Sequence, residues 1–203
     1  MIRTTSVMVL ALLTAAGIGT TYLLQRTSEA HIATEQRLID SHNLLDLLPV
    51  GSYDNQPLDR PLALENIALA HSTLMGGYLA TKTSHPGAVL LRLQTLGYAA
   101  TLELLIAIDA NGKLLGVKTL KQAETPGLGG RLADWPNAWL QTFSGKSRTD
   151  PADNDWALKK DQGQFDQMAG ATITSRAVIN AIHDALRYFD EHQQQLVGSA
   201  AHE

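Results

Sequence analysis

Cysteine is absent from all 203 residues. That excludes disulfide scaffolds, thiolate zinc sites, the usual thiolate-held iron–sulfur clusters and cysteine nucleophiles. It names no compartment, although a chain without thiols is undisturbed in an oxidising one. An excess of positive charge is missing too. Lys and Arg number 16 against 20 Asp and Glu, a formal net charge of −4. The basic footprint of a general nucleic-acid binder is therefore lacking, and no nucleic-acid partner is expected. His31, His42, His71, His85, His183, His192 and His202 are scattered without ligand spacing and read as surface or core residues. No side-chain acid–base catalyst and no metal site stand out.

What is present suits a packed core: 44% hydrophobic and 18% charged residues, in a length that fits one domain plus a modest extra. The hydrophobic residues are unevenly spread. Ser6 to Leu24 carries no charge and lies between Arg3 and Arg26. As a helix it nearly spans a hydrocarbon core of about 30 Å. Ala15, Ala16, Gly17 and Gly19 would also suit a cleavable signal peptide. The apolar run continues past them to Tyr22-Leu23-Leu24, which favours an uncleaved anchor with the N-terminus inside and the bulk of the chain outside.

Ser28 to Leu48 predicts a helical stalk, with Ile32, Leu38, Ile39, Leu44, Leu47 and Leu48 near one face, Ser28 as N-cap and Pro49 as its stop. Val50 to Pro61 reads as a linker. Strands are expected at Gly76 to Thr83 and Ala88 to Leu96, parted by a turn at Ser84-His85-Pro86-Gly87. Thr101 to Asp109 sets Leu102, Leu104, Ile106 and Ile108 on one face at period two. Asn111-Gly112 then predicts a hairpin, because both residues tolerate positive φ, with a further strand from Leu114 to Leu120.

Glu124-Thr125-Pro126-Gly127-Leu128-Gly129-Gly130 is a glycine loop whose backbone side chains do not shield, which suits close approach to a flat or phosphorylated ligand. It has neither the lysine and spacing of a P-loop nor a G-x-G-x-x-G order, so an ordinary loop explains it as well. Leu132 to Phe143, with Trp135 and Trp139, reads as a small amphipathic helix over the sheet. Asp150, Asp153 and Asp155 lack the glycine and terminal Glu of a calcium loop and read as a turn. Lys159-Lys160 reads as a solvated strand end, or as a place where a lysine faces an anion. Asp166 to Ser175 then runs through Gly170-Ala171-Thr172 into a helix from Arg176 to Gln194. Val178, Ala181, Ile182, Ala185 and Phe189 form its buried stripe, and Thr174 or Ser175 can cap it. Its N–H groups and positive dipole end favour a phosphate, although an N-capped helix after a tight turn accounts for the same residues.

Gly170-Ala171-Thr172 preceded by Asp166 resembles the flavinylation motif of covalent FMN-binding domains: Asp, two residues, Ser or Thr, Gly, Ala, Thr. The runs ETPGLG (124–129) and WALKKD (156–161) resemble other signature stretches of that family. End to end, the chain is similar to the G-subunit family of Rnf (Rsx) ion-translocating electron transport complexes, and also to the longer C-type subunits of sodium-translocating NADH:quinone reductases. Ala169 departs from the pattern, standing where the family mostly has Ser or Thr; the attacking hydroxyl would be the later Thr172.

The resemblance implies one FMN joined through its phosphate to Thr172 by a flavin transferase, with Gly170 and Ala171 leaving the hydroxyl unobstructed. Thr125, Gly127 and Leu128 would approach the flavin, and Lys159 or Lys160 would offset phosphate charge. The expected architecture is α+β: anchor (1–26), helical stalk and linker (27–60), antiparallel-sheet FMN-binding domain with a C-terminal helix (61–195) and tail (196–203). The expected role is electron carriage in a bacterial inner membrane, with the main domain periplasmic and other subunits, the transferase and the lipid bilayer as partners. The alternatives are an anchored extracytoplasmic binding module without covalent flavin, and the FMN subunit of a related NADH:quinone reductase.

Overall fold

Alternating apolar residues between 73 and 121 favour a sheet, and the computed structural model contains one. It describes residues 46–198 other than Val50, Arg60, Glu65 and Ser84, together with Thr14 and Gly17. The strands are β1 (Pro61–Leu62), β2 (Ile67–Ala68), β3 (Thr73–Lys82), β4 (His85–Leu96), β5 (Thr101–Asp109) and β6 (Leu114–Lys121). They pair antiparallel in the order β1-β3-β4-β5-β6, with β2 also on β3. A short helix α1 (Ala138–Gln141) and a long helix α2 (Thr172–Gly198) follow. This is the α+β arrangement expected, an antiparallel sheet with a C-terminal helix. The chain divides into two compact units, 1–45 and 46–203, and the sheet belongs to the second. The anchor and nearly all of the stalk lie outside the described residues; among the described residues no helix is long and apolar enough to cross a membrane.

The core follows from the two periodicities. Leu102, Leu104, Ile106 and Ile108 of β5 are wholly buried, as are Val178, Ile182, Ala185 and Phe189 of α2. The helix lies chiefly against β4, with contacts to β5 and β3. Each large apolar side chain removed from water contributes about 1.5–3 kcal/mol. Leu105 and Ala107, on the opposite face of β5, are also wholly buried, so the strand is covered on both sides rather than one. Part of that second cover is Leu47, whose Cδ2 lies 2.8 Å from where a Cβ on Gly116 would stand.

Local departures from expectation have local causes. Asp46 to Leu48, the end of the expected stalk helix, form a turn that seats Leu47 and Leu48 in buried positions. His85 to Gly87 belong to β4, because Lys82 pairs with His85 and the chain reverses at Thr83, whose φ is +51°. A bulge between the Ala80–Ala88 and Thr81–Pro86 pairs takes up Gly87. The β5–β6 hairpin uses a type I-like turn closed by Gly112 N to Asp109 O at 3.0 Å, with only Gly112 at positive φ (+80°). The Asp109 carboxylate accepts from Asn111 N and Lys113 N, 2.8 Å each, which favours this turn over the two-residue one. The expected helix over Leu132 to Phe143 is split into a 3-10 turn (Gly129–Ala133) and α1, since Pro136 between them has no N–H to donate. Asn137 caps α1 by accepting from Leu140 N at 2.9 Å.

Candidate functional site: a cleft at the start of the C-terminal helix

The helix α2 begins four residues before its expected start. Its first i→i−4 bond runs from Ser175 N to Ala171 O at 2.9 Å, so the N–H groups of Thr172, Ile173 and Thr174 precede the ladder, at the positive end of the helix dipole. Thr174 and Ser175 therefore lie within the first turn rather than capping it. Gly170 enters the turn at φ +71°, and a Cβ there would stand 2.6 Å from Leu128 Cδ2. Both conformation and space call for glycine.

The three hydroxyls of this turn have different surroundings. Ser175 Oγ, wholly buried, accepts from Met168 N at 3.0 Å and donates to Ala171 O at 2.8 Å. Thr174 Oγ1, 1% exposed with its residue, donates to Glu124 Oε2 at 2.6 Å. Thr172 is half-buried: its Oγ1 accepts from Lys160 Nζ at 3.0 Å and donates to Gln167 Oε1 at 3.0 Å. Of the three, Thr172 is the one an external reagent can reach.

The glycine loop meets this turn from the other side. It is closed by Leu128 N and Gly130 N on Thr125 O, at 3.1 and 3.0 Å. At its root Glu124 is buried, with Oε1 accepting from Ala99 N at 3.1 Å and Oε2 from Thr174. One carboxylate thus joins the β4–β5 turn, the glycine loop and α2. A Cβ on Gly129 would press on it, 2.8 Å from Oε2 and 3.0 Å from Thr174 Oγ1. Between loop and helix lies an open cleft of about 340 Å³, lined by Tyr98, Glu124, Thr125, Leu128, Gly129 and residues 170–174. Tyr98, Leu128 and Ile173 leave large apolar surfaces exposed there. A second hollow of about 290 Å³ is lined by Gln122, Glu124, Pro126, Gly127, Arg131 and Asp134 among others.

Below the cleft, a 3-10 turn (Lys159–Asp161) is clamped to α2. Arg176 Nε donates to Asp161 Oδ2 at 2.6 Å and a second guanidinium N–H to Oδ1 at 2.8 Å. That fork holds the Asp161 carboxyl below the usual carboxylate range and raises the arginine further. Lys159 Nζ pairs with Asp166 Oδ2 at 2.7 Å, and Trp139 Nε1 donates to Asp166 O at 2.7 Å. Asp153 bonds to His183 Nε2 at 2.8 Å, which lowers its carboxyl. Among the described residues no three His, Asp or Glu gather to hold a metal ion.

An FMN-binding domain model matches residues 97–187, the stretch from the β4–β5 turn into α2. The G subunit of the ion-translocating oxidoreductase complex of Pseudomonas aeruginosa is 43% identical over 97% of this chain and 94% of its own length. This chain belongs to the G-subunit family of Rnf-type ion-translocating oxidoreductase complexes. The family member from Photorhabdus laumondii is 38% identical, over 88% of this chain and 86% of its own, and that of Vibrio vulnificus 30%, over 93% and 90%. A solved structure, NqrC of Shewanella oneidensis, superposes with a TM-score of 0.48 at 21% identity, covering 61% of each chain.

In this member of the G-subunit family the cleft joins Thr125 and Leu128 to Gly170, Ala171 and Thr172, although some 42 residues separate the two groups in sequence. Lys160 reaches Thr172, while Lys159 turns to Asp166. Gly127 lies on the second hollow, at φ +78° with open space where a Cβ would be. Tyr98, Glu124, Gly129, Ile173 and Thr174 also line the cleft, and the sequence does not single them out as site residues. Glu124 opens the ETPGLG run, but nothing in the sequence marks a carboxylate as buried.

Proposed function

We propose that the chain is an electron-carrying flavoprotein subunit whose FMN is joined by a phosphoester to Thr172. The observation that carries this reading is the half-buried, solvent-reachable Thr172 hydroxyl at a helix N-terminus, on the rim of a cleft with apolar walls. The residues present fit the group. The cleft falls in the range of about 300–1,000 Å³ usual for small-molecule sites. Tyr98, Leu128 and Ile173 offer apolar surface to a flat ring system, with Thr125 beside them. The N–H groups of residues 172–174 and the Lys160 ammonium suit the phosphate; Lys159 and Gly127 stand further off. FMN would supply the electron-transfer chemistry, which the protein tunes.

The G-subunit relatives, named for an ion-translocating oxidoreductase complex, support a place beside the other subunits of such a redox-driven complex. In the same reading residues 1–26 anchor the chain in the bacterial inner membrane, 27–60 form stalk and linker, and 61–195 are the FMN-binding domain on the periplasmic side. A flavin transferase loads the cofactor.

The test is the intact mass of the denatured full-length chain after coexpression with a flavin transferase. One FMN-sized increment in the parent and none in Thr172→Ala is the expected result. An increment retained by Thr172→Ala overturns the assignment, and none in the parent overturns the covalent flavin itself.

A further inference from the structure

We infer that Lys160 and Gln167 hold the Thr172 hydroxyl in readiness as the acceptor of the phosphoryl group, and so set the rate at which this chain is loaded. The inference rests on the reading of Thr172 as the FMN-carrying residue. A threonine hydroxyl has one proton and two acceptor lone pairs. Here the proton is directed to Gln167 Oε1 and one lone pair is taken by Lys160 Nζ, each at 3.0 Å. One lone pair remains for an incoming phosphorus. The other hydroxyls of the turn have no such freedom, being buried and bonded to Glu124 or to backbone.

Two adjacent lysines behave differently, and the difference is informative. Lys159 is matched by the Asp166 carboxylate, whereas Lys160 directs its ammonium at a neutral hydroxyl. The adjacent Asp161 carboxylate feels the Lys160 charge but is already gripped by Arg176, so the Lys160 ammonium stays directed at Thr172, where an anion would arrive. Asp161, the next residue, grips Arg176, which lies four residues, about one helical turn, after Thr172. The turn that carries Lys160 is thereby tied to the helix that carries the acceptor.

The co-reactant is a flavin dinucleotide, FAD. The Thr172 Oγ1–P bond forms at the phosphorus on the flavin side, the pyrophosphate P–O bond breaks, and AMP leaves. The hydroxyl proton passes to the departing AMP or to water, and no electrons change hands. Negative charge grows on the phosphoryl oxygens as the bond forms, within reach of the Lys160 ammonium. Gln167 accepts the hydroxyl proton in a hydrogen bond and orients it, without taking it.

The experiment follows the intact mass of the full-length, detergent-extracted chain over time, with purified flavin transferase, FAD and Mg²⁺. Lys160→Ala is expected to lower kcat for loading about tenfold or more, with KM for the chain unchanged. Lys160→Arg restores most of the rate, and Gln167→Leu slows loading while leaving the unfolding midpoint in place. Loading of Lys160→Ala at the parental kcat overturns the proposal. So does a loss confined to KM, which would make Lys160 a docking contact for the transferase. Failure of these arms, with the parent loaded and Thr172→Ala blank, leaves the Thr172 reading standing. A blank parent, or a loaded Thr172→Ala, overturns that reading and this one together.

Discussion

Two threonines two residues apart, Thr172 and Thr174, divide the cleft into a wet side and a dry side. Thr174 faces inward and donates a hydrogen bond to a buried carboxylate at 2.6 Å. Thr172 faces outward, and its partners are the side chains of an exposed lysine and an exposed glutamine. A hydrogen bond to a charged group in a low-dielectric interior is strong and costly to leave half made. One in contact with water is worth little and can be exchanged. The dry pair therefore fixes the architecture, and the wet trio leaves an oxygen available for chemistry.

The sharpest way to separate the two sides is Thr172→Ala. It should abolish the FMN increment while moving unfolding stability by no more than about 1 kcal/mol, since its two hydrogen bonds go to exposed side chains that water can satisfy. Thr174→Ala should do the opposite, keeping the increment and losing stability. Equal effects of both on loading would erase the distinction.

Glu124→Ala strikes the dry side directly. It strands the Thr174 hydroxyl and the Ala99 N–H, and should cost about 2–3 kcal/mol in urea unfolding. A midpoint equal to the parent's would show that water replaces the carboxylate without loss.

Neighbouring glycines sharpen the comparison further. Gly129→Ala drives a methyl group against Glu124 and Thr174 and should cost about 1–3 kcal/mol, as overpacking does. Gly127→Ala meets open space and should lose only about 1 kcal/mol, the cost of a side chain in the left-handed region. If the two variants melt together, crowding at Glu124 is not what the loop resists.

Smallest of all is the effect of Asp161→Asn on the wet side. The Arg176 fork lowers the Asp161 carboxyl in the folded chain. Its contribution is therefore present above the usual carboxylate range and lost as pH falls through the depressed folded value. Parent and variant should differ slightly near neutral pH and converge in acid, and salt should shrink the difference. A gap that widens in acid would contradict this sign.

Sequence alone made some of this legible. The four alternating residues from Leu102 to Ile108 bound β5 at Thr101 and Asp109, because a two-residue apolar period is what a half-buried strand requires and a helix does not. The stripe from Val178 to Phe189 likewise marks α2, and Gly170-Ala171-Thr172 marks its entry. The cover on the second face of β5 could not be read, since Leu47 reaches Gly116 from some seventy residues away. Nor could the cleft's inner wall: Tyr98, Glu124 and Thr174 are ordinary residues until long-range packing brings them together. The interruption at Pro136 was visible in the letters, and the helical spacing of Trp135 and Trp139 outweighed it.

The double cover of β5 has a consequence for hydrogen exchange. Bonded on both edges and buried on both faces, the amides of Leu104, Leu105 and Ile106 can open only when the whole sheet comes apart. They should report global unfolding, whereas amides of the exposed glycine loop exchange through local opening. A solvent-isotope measurement on the full-length chain would thus read two clocks. The slow one belongs to the doubly covered sheet, while the fast one follows the rim of the cleft.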